Sequence, residues 1–440
     1  MIESSGYAVW HGLTPMGEFL RDNDPDMFLV SGADSHVVDA GGRRYLDARS
    51  SMWNVTLGYS CEPVKRAMAR QLDVLPSGTV MRYEHPPQST VDYAAALAAT
   101  LPAPLRHIRF GNTGSQMTES AAMLSRFYRR MTGETDRHTV IALHSAYHGT
   151  GPLATALTDE PVLHDYSAPV DQHVVHVTTP PPVSCEPGAC TGGCVRPVLD
   201  AIESVGTDHV TAVMFEPVSG TSFLPAPPHY LETLIVECRR RGIHTIADEV
   251  TTGAGRVGAM TYIERLTEVP DMLVLGKGLS AGYFPLAVLA VGSHVFDALT
   301  HPPVRLGFPN GSTTDGHPLG AAAGLAVLDV LTADGFFDGV RRRSADLVAM
   351  LAAAAESEPR LGAVRGEGML LGIELVDENG EPWRVREVNR FRLACRDQGL
   401  LTSYSLGVLP LLPQLTISEA DCRELVDLLL KALAAYQPGA

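Results

Sequence analysis

Lys277 and Asp248 are the two residues whose types and surroundings best fit covalent catalysis. Lys277 follows the apolar run that begins at Met272, and Asp248 follows the apolar run that begins at Ile243. A lysine amine that its surroundings keep near neutral attacks aldehydes to form Schiff bases. A carboxylate at the end of a second strand suits the ring nitrogen of pyridoxal phosphate (PLP). The pairing therefore favours an enzyme that uses PLP.

The elements that would position these side chains are short apolar runs that alternate with helical patterns. The runs begin at His107, Thr139, Val210, Ile243, Met272 and Leu286. A helical pattern from Tyr230 to Arg241, closed by Gly242, connects two of them. This alternation predicts an α/β fold with a mainly parallel central sheet covered by helices. Asp248 is expected at the carboxyl end of a strand, where open α/β sheets bind their ligands.

The two ends of the chain have a different pattern from its middle. Residues up to about Arg49 are rich in turns, and beyond Leu331 helical segments alternate with a Gly-rich strand pair. We therefore predict a large cofactor-binding domain from residues 61–330. Residues 1–60 and 331–440 are expected to form a small α+β domain together.

Composition and charge disfavour several classes of function. The chain has 440 residues, of which 45% are hydrophobic, and a formal charge of −16. That acidic balance opposes binding to nucleic acid, whose phosphates attract Lys and Arg. The N-terminus lacks the layout of a secretory signal, and no uncharged apolar stretch of about 18 residues occurs. We expect a soluble cytoplasmic protein that binds neither nucleic acid nor membrane.

A glycine turn between a strand and a helix forms a candidate phosphate site. The run that begins at Arg109 turns at Gly114 and Ser115 before an amphipathic helix. Backbone N–H groups and a hydroxyl at the positive end of a helix bind phosphate well. A plain helix N-cap by Thr113 or Ser115 fits the local sequence equally well.

Residues 145–149 follow another strand and offer an aromatic ring to the same site. Tyr147 would stack on one face of a flat heterocycle. Val250, two residues beyond Asp248, would pack against the other face. His148 is a second candidate for contact with this heterocycle. Ordinary packing is the alternative for both Tyr147 and His148, and their position relative to Asp248 favours the site.

Two motifs point to other classes of enzyme. The run from Gly253 to Gly258 matches the dinucleotide pattern G-x-G-x-x-G, but an insert separates it from its strand and no clear helix follows. The run that begins at Gly278 matches G-x-S-x-G after a strand, so a serine hydrolase with Ser280 as nucleophile is an alternative. Tyr283-Phe-Pro interrupts the helix that such a nucleophile needs, which disfavours this alternative.

Seven cysteines are too few for a disulfide framework in a chain of this length. Cys185, Cys190 and Cys194 lie in an irregular Pro- and Gly-rich loop, residues 178–197. Their spacing matches no common zinc or iron-sulfur motif, and four ligands are usual. We predict a surface loop without a metal.

Four motifs occur in order along the chain: Phe215-Glu-Pro-Val-Ser-Gly, Asp248-Glu-Val-Thr-Thr-Gly-Ala-Gly-Arg-Val-Gly, Gly276-Lys-Gly-Leu-Ser-Ala-Gly-Tyr-Phe-Pro-Leu and Gly311-Ser-Thr-Thr-Asp-Gly-His-Pro. Together they resemble the class III (omega) aminotransferases, PLP enzymes of fold type I, over nearly the whole chain. The resemblance implies ping-pong transfer of an amino group from an amine or amino acid to a carbonyl acceptor. Epimerase, decarboxylase and aminomutase chemistry with the same residues are the alternatives.

The resemblance also implies a role for each candidate residue. Lys277 would form the aldimine with PLP and shuttle protons, while Asp248 would keep the ring nitrogen protonated. The implied cofactor contacts are Gly114, Ser115, Tyr147, His148, Asp248, Val250, Lys277 and Thr313. Thr313 would reach the phosphate in the neighbouring subunit, so a homodimer with a shared active site is implied.

Two N-terminal segments, which begin at Trp10 and Ser50, are similar to the diaminopelargonate aminotransferase branch of this family. Trp53 is therefore the candidate for the substrate wall. Leu13 and Met52 stand where that branch usually has Tyr and a second Trp. These differences predict a different substrate.

Class III members that hold a substrate carboxylate usually carry an Arg near a C-terminal Pro-Pro-Leu-like element, and residues 400–415 contain none. The lost charge-assisted contact is worth about 1.5–3 kcal/mol. Arg82 is the candidate replacement. We predict a specialised acceptor, an aldehyde or ketone on a larger metabolite, with Trp53, Arg82 and Tyr147 as substrate contacts.

Overall fold

The computed structural model describes residues 6–179, 184–300, 307–403 and 407–437. The strands in chain order are β1 (Leu29–Ala33), β2 (His36–Asp39), β3 (Arg44–Asp47), β4 (Leu105–Gly111), β5 (Thr139–Ala142), β6 (Val174–His176), β7 (Val210–Phe215), β8 (His244–Glu249), β9 (Met272–Leu275), β10 (Ala287–Gly292), β11 (Leu361–Glu367), β12 (Leu370–Leu375), β13 (Leu400–Leu401) and β14 (Val408–Leu411). The helices are α1 (Met16–Asp22), α2 (Ser50–Trp53), α3 (Glu62–Val74), α4 (Gln88–Thr100), α5 (Gly114–Thr132), α6 (Pro152–Leu157), α7 (Pro161–Ser167), α8 (Arg196–Val205), α9 (Pro228–Arg240), α10 (Ser293–Thr300), α11 (Pro318–Leu331), α12 (Phe336–Ser357), α13 (Val385–Asp397) and α14 (Glu419–Ala435).

A seven-stranded sheet forms the centre of the molecule, with its strands in the order β4-β10-β9-β8-β7-β5-β6. Neighbouring strands are parallel from β6 through to β9. Only β10 is antiparallel to its two neighbours, β9 and β4. Every residue of β7, β8, β9 and β10 is buried, as expected for strands covered on both faces. The predicted α/β fold with a mainly parallel sheet is confirmed.

Helix α9 is the crossover that connects β7 to β8. Its buried residues recur at the three- and four-residue spacing of a helix face, and they are Tyr230, Leu231, Leu234, Ile235 and Cys238. Gly242 follows in the left-handed region at φ 63°, which a glycine adopts without steric cost. The chain then enters β8, whose carboxyl end carries Asp248.

The two ends of the chain meet in a second sheet, ordered β1-β2-β3-β13. In this sheet the C-terminal strand β13 pairs in parallel with β3 of the N-terminal part. A third sheet, β11-β12-β14, belongs to the C-terminal part alone. The domain boundaries near residues 60 and 330 stay a prediction.

Within the described ranges, no helix taken singly has the length and apolar character to cross a membrane. Only α11 and α12 considered together reach both, and the pair is bent by 74° at the break between them.

Candidate active site

Lys277 stands directly beyond the carboxyl end of β9, at the start of a short 3-10 segment, Lys277–Ser280. Its backbone has a φ of 39°, in the region that residues with a side chain rarely adopt. The Nζ atom donates a hydrogen bond to Thr251 Oγ1 at 2.8 Å and lies 5.4 Å from the centre of the Trp53 ring. The amine is therefore held between a hydroxyl and an aromatic face.

The charges around Lys277 set how readily its amine becomes neutral. Burial lowers its pKa, the negative charges of Asp248 and Glu216 act in the opposite direction, and the positive charge of Arg256 lowers it further. The net direction is downward. A larger neutral fraction makes the amine a better nucleophile toward a carbonyl carbon.

Asp248 lies at the end of β8 and is only 4% exposed. Its Oδ2 atom accepts a hydrogen bond of 2.7 Å from Nδ1 of His148, and its Oδ1 atom accepts one of 3.0 Å from the Val250 N–H. Burial opposes a charged imidazole, but the hydrogen bond and charge of Asp248 prevail and raise the pKa of His148. Asp248 is thus a buried carboxylate that accepts a hydrogen bond from the buried side chain of His148.

The start of α5 forms a narrow cleft against the end of β8. A Cβ atom added at Gly114 would lie 2.7 Å from Cγ1 of Val250, so only glycine permits this approach. Thr113 caps the helix by accepting a hydrogen bond from the Gln116 N–H, which confirms one of the two predicted N-caps. Ser115 Oγ instead accepts from the Thr150 N–H at 3.1 Å. The N–H groups of the first helical turn have no partner within the helix and point to its N-terminal side.

Tyr147 lies in the loop after β5, as predicted, and is half-buried. Its backbone N–H donates to Oε2 of Glu216 at 2.9 Å, and the Gly220 N–H donates to Oε1 at 3.1 Å. Burial raises the pKa of Glu216 to about 7, and the nearby Asp248 adds to that increase. The site thus holds a second carboxyl group that the sequence had not singled out.

Trp53 belongs to a kinked segment that brings it beside Lys277. Its φ of 69° lies in the left-handed region, and its ring meets Phe223 edge-on at a centroid distance of 5.9 Å. The ring also lies close to Gly220. Trp53 therefore lines one side of the space next to the amine, and the buried Phe223 packs against it.

Arg82 and Thr313 lie apart from this group, in two exposed segments that run side by side. The Val80 N–H donates to the Asp315 carbonyl at 3.0 Å, which joins the segments. The second segment also contacts the strand end before α5, where Thr314 Oγ1 donates to Oδ1 of Asn112 at 3.2 Å. Within the described part of one chain, no hydrogen bond or ring contact joins Lys277 to Arg82 or to Thr313.

The serine hydrolase alternative does not agree with the structure. Ser280 is 1% exposed, and its hydroxyl donates to the Phe284 carbonyl at 2.5 Å. A nucleophile needs an accessible oxygen that hydrogen-bonds to a base. The G-x-G-x-x-G run also fails as a dinucleotide site, because no α-helix begins between β8 and β9.

Three residues of the site were missed from the sequence: Thr251, Glu216 and Arg256. Thr251 and Glu216 follow strand ends, and that position could have identified them. Arg256 is 1% exposed and donates to the carbonyls of Pro413 and Met369 at 2.5 and 3.1 Å. These contacts are distant along the chain, so no local pattern indicates them.

Comparison with known proteins agrees with this geometry. The family profile "Aminotransferase class-III" matches residues 20–433. An adenosylmethionine-8-amino-7-oxononanoate aminotransferase from Nitratidesulfovibrio vulgaris is 32% identical over 97% of this chain and 80% of its own length.

Two solved structures have nearly the same fold. An (S)-enantioselective omega-transaminase from Thermomicrobium roseum has a TM-score of 0.88 and 28% identity, over 96% of this chain and 95% of its own. A PLP-bound amine transaminase from an uncultivated Pseudomonas species has a TM-score of 0.88 and 29% identity, over 98% of this chain and 99% of its own. The chain therefore belongs to the class III aminotransferases, which transfer amino groups with PLP.

Proposed function

We propose that PLP is held between Tyr147 and Val250, with its phosphate at Gly114 and Ser115 and its ring nitrogen at Asp248. The residues fit the group in two respects. The absence of a side chain at Gly114 lets the N–H groups at the start of α5 lie close to Val250, because a Cβ atom there would be 2.7 Å from Val250 Cγ1. Asp248 is buried, and His148 supports it with a short hydrogen bond.

Bound PLP supplies an aldehyde carbon and an electron-accepting ring. Lys277 would hold the group through Nζ in the absence of substrate and, once a substrate has displaced it, would carry the proton as a free amine. Thr251 orients the amine through its hydroxyl. Asp248 supplies the negative charge that stabilises a protonated ring nitrogen.

We further propose that the acceptor is an aldehyde or ketone on a larger metabolite, and that a chain supplies no arginine clamp for an α-carboxylate beside its own Lys277. The observation that carries this proposal is the position of Arg256, whose guanidinium bonds to the carbonyls of Pro413 and Met369 in the interior. Its Nε and Nη2 atoms are buried without a hydrogen-bond partner among the described residues, and the side chain is 1% exposed, so the cation is enclosed by protein. Trp53, with the buried Phe223 packed against it, offers an apolar surface beside Lys277 instead. One relative is named for a 7-oxononanoate, and another is named an amine transaminase. These names support a broad carbonyl specificity.

A panel of donors and acceptors tests this proposal. The PLP-loaded enzyme is mixed with arylalkyl amines, aliphatic diamines and α-amino acids, and the loss of its visible absorbance is followed by stopped flow. Acceptors are then ranked with the best donor. We expect amines without an α-carboxylate to react faster than alanine or glutamate. Rapid turnover of alanine with simple α-keto acids would contradict the proposal.

Arg82→Ala tests whether a surface arginine replaces the missing clamp. We expect KM for donors or acceptors with a carboxylate to rise about 10- to 100-fold, the equivalent of about 1.5–3 kcal/mol, because a charge-assisted contact is lost. Substrates without a carboxylate should keep their KM. Arg70→Ala, an exposed arginine on α3, is the matched control. An unchanged KM for every substrate would exclude Arg82 from substrate binding.

We propose a homodimer with an active site shared between subunits. Large apolar side chains are exposed along the segments that would meet a partner, including Trp10, Leu13, Met52 and Tyr83, of which Tyr83 is 100% exposed. Exposed apolar surface of this kind marks contact with another protein. Since Arg82 and Thr313 lie on adjoining segments, both would enter the partner's site together.

A mixed dimer distinguishes a role of Thr313 in the partner's site from a role in its own. Lys277→Ala removes the amine, and Thr313→Asp places a carboxylate against the phosphate, so each parent should be nearly inactive. When the two variants are unfolded, mixed and refolded, the mixed dimer contains one site with both residues intact. We expect about one quarter of the wild-type activity, because half of the dimers are mixed and each has one native site in two.

The alternative is that Thr313 acts in the active site of its own chain. If Thr313 acts within its own chain, where its loop contacts Asn112, every site of the mixed dimer lacks one residue and no activity returns. Refolded wild-type enzyme is the control for yield. Sedimentation velocity on the same samples reports whether dimers have formed.

We also propose a cytoplasmic location, because all seven cysteines are free thiols, as is usual in a reducing compartment. Fractionation of cells that produce the protein tests this.

A further inference from the structure

Three cysteine side chains converge in the loop that follows β6 and precedes α8. The Sγ atoms of Cys185, Cys190 and Cys194 all lie within 4.8 Å of one another. Those of Cys190 and Cys194 are 3.1 Å apart. Cys185 is 9% exposed and belongs to the hydrophobic core. The three thiols therefore form a compact and partly buried group, which the prediction of a plain surface loop did not include.

The backbone of the loop brings the three thiols together. The carbonyl of Glu186 accepts from the N–H groups of Ala189 and Cys190 at 3.3 and 3.1 Å, which closes a turn. Gly188 and Gly192 have φ angles of 86° and 84°, so the chain reverses at two positions where a side chain would be strained. The Gly192 N–H donates to Cys190 Sγ at 3.4 Å. Backbone donors to sulfur of this kind stabilise a thiolate.

We propose that Cys185, Cys190 and Cys194 bind a zinc ion as thiolates. Zinc binds thiolate sulfur at about 2.3 Å, and two sulfurs on one tetrahedral ion are then about 3.8 Å apart. The Cys190–Cys194 separation of 3.1 Å is shorter than that value, and the two separations from Cys185 are at most 4.8 Å. Small changes of side-chain rotamers would place all three sulfurs on one ion.

A disulfide explains the cluster less well. It joins two sulfurs at about 2.0 Å and leaves the third thiol of the group without a role. All three sulfurs lie within 4.8 Å of one another, close enough for one ion to bind them together. Soft thiolate ligands select zinc and copper(I) and not magnesium or calcium.

The fourth position on the ion is left to water. Among the described residues, no other Cys, His, Asp or Glu joins the three thiols in this cluster. Cys190 and Cys194 are partly exposed, so solvent reaches the site. Binding breaks three S–H bonds and forms three S–Zn bonds, and the three protons pass to the solvent without any change of oxidation state.

The ion would hold the loop against the large domain. Val195, directly after Cys194, is fully buried, and α8 begins at the next residue. Cys185, Cys190 and Cys194 all pack on the same core. Zinc would thus fix the entry to α8 in a segment that has little regular secondary structure of its own.

Metal analysis of the PLP-loaded enzyme tests the proposal. The protein is purified with a phosphine reductant, incubated with zinc alone, desalted, and measured by inductively coupled plasma mass spectrometry. We expect about one zinc ion per chain in the wild type and less than about one tenth of that in Cys190→Ser and Cys194→Ser. Cys61→Ser, a half-buried cysteine outside the cluster, is the matched control and should bind zinc like the wild type.

Cobalt substitution gives a second, spectroscopic measurement of the same site. Cobalt(II) bound to the wild type should show a thiolate-to-metal charge-transfer band and the intense visible bands of tetrahedral geometry, and both should be absent in Cys190→Ser. The retained visible absorbance of bound PLP shows that each variant is folded. The proposal is overturned if wild-type protein retains no zinc, or if Cys61→Ser loses zinc to the same extent as Cys190→Ser. A Cys190–Cys194 disulfide in metal-free enzyme purified without reductant, together with no zinc uptake after reduction, would also overturn it.

Discussion

Lys277→Ala should lower kcat/KM for amino transfer by at least about 10⁴-fold, the upper end of what one proton-transfer group contributes. Lys277 is the only amine at the strand ends of the central sheet, and its loss removes both the bond to the cofactor and the proton carrier. Steady-state rates with the best donor and acceptor measure the effect. Lys277→Arg is the control, because it keeps the positive charge while arginine stays protonated and cannot attack a carbonyl. We expect it to be as inactive as the alanine variant.

The small number of lysines makes the site of attachment easy to identify. The chain contains only Lys65, Lys277 and Lys431, and Lys65 and Lys431 are exposed on α3 and α14. Borohydride reduction followed by proteolysis and mass spectrometry should locate a phosphopyridoxyl group on Lys277 alone. An adduct on Lys65 or Lys431 in place of Lys277, or full activity of Lys277→Arg, would refute the assignment.

Residues that follow strands were predictable from the sequence, because parallel strands end at a common edge of the sheet. Asp248 lies at the end of β8, and Lys277 lies just beyond the end of β9. The two strands are neighbours, and Asp248 pairs with Val274. The apolar runs fixed the order of these strands along the chain, and the edge then brought their final residues together. Val250 and Gly114 could be placed in the same way, since each stands a fixed number of residues beyond its strand.

Contacts made between distant segments were not predictable. The burial of Arg256 depends on the carbonyls of Met369 and Pro413, more than a hundred residues away. The meeting of Cys185 with Cys190 and Cys194 depends on two glycine turns whose backbone angles no periodicity specifies. In both cases a charged or reactive side chain is placed by packing that forms only when the whole domain has folded.

The ends of helices were also less predictable than their centres. The helical pattern beyond Leu331 does not show where α12 begins, and the helix extends from Phe336 to Ser357 in the structure. Its first turns bury Val340 and Ser344, which continue the same face at a spacing of four residues. The charged residues Arg341 to Arg343 between them obscured this face in the sequence.

Asp248→Asn should lower kcat/KM by about 10²- to 10³-fold, the range seen when one preorganised electrostatic group is removed from an active site. The amide has the shape of the carboxylate but no negative charge to balance a protonated ring nitrogen. Lys277 should still be labelled by borohydride in this variant, because the amine and its contact with Thr251 remain. The combination of a retained label and a slow reaction separates a loss of electrostatic support from a loss of cofactor.

A matched control lies one residue further along the chain. Glu249→Gln makes the same change in a buried carboxyl group, but Glu249 accepts hydrogen bonds from the N–H groups of Tyr262 and Ile263 and does not share the partner of Asp248. Burial raises the pKa of Glu249 to about 7, so at slightly acidic pH the amide replaces a mainly neutral group. One of the N–H groups of Tyr262 and Ile263 would face the amide nitrogen, which cannot accept, so we expect a lower melting temperature but kcat/KM of the folded enzyme close to that of the wild type. An equal loss in both variants would show that β8 tolerates no neutral side chain and that Asp248 has no special role.

His148→Asn then tests whether His148 acts through Asp248. The 2.7 Å hydrogen bond from Nδ1 supports the carboxylate, and the pKa of His148 is raised because its charged form is stabilised there by Asp248. In the wild type, the His148 imidazole is fully charged at low pH, and its positive charge beside Asp248 is lost as the pH rises through the raised pKa. We expect the variant to lose about tenfold in kcat/KM at neutral pH, which corresponds to about 1.4 kcal/mol. The basic limb of its pH profile should lose the titration that belongs to the imidazole. An unchanged profile would mean that His148 only fills space behind Asp248.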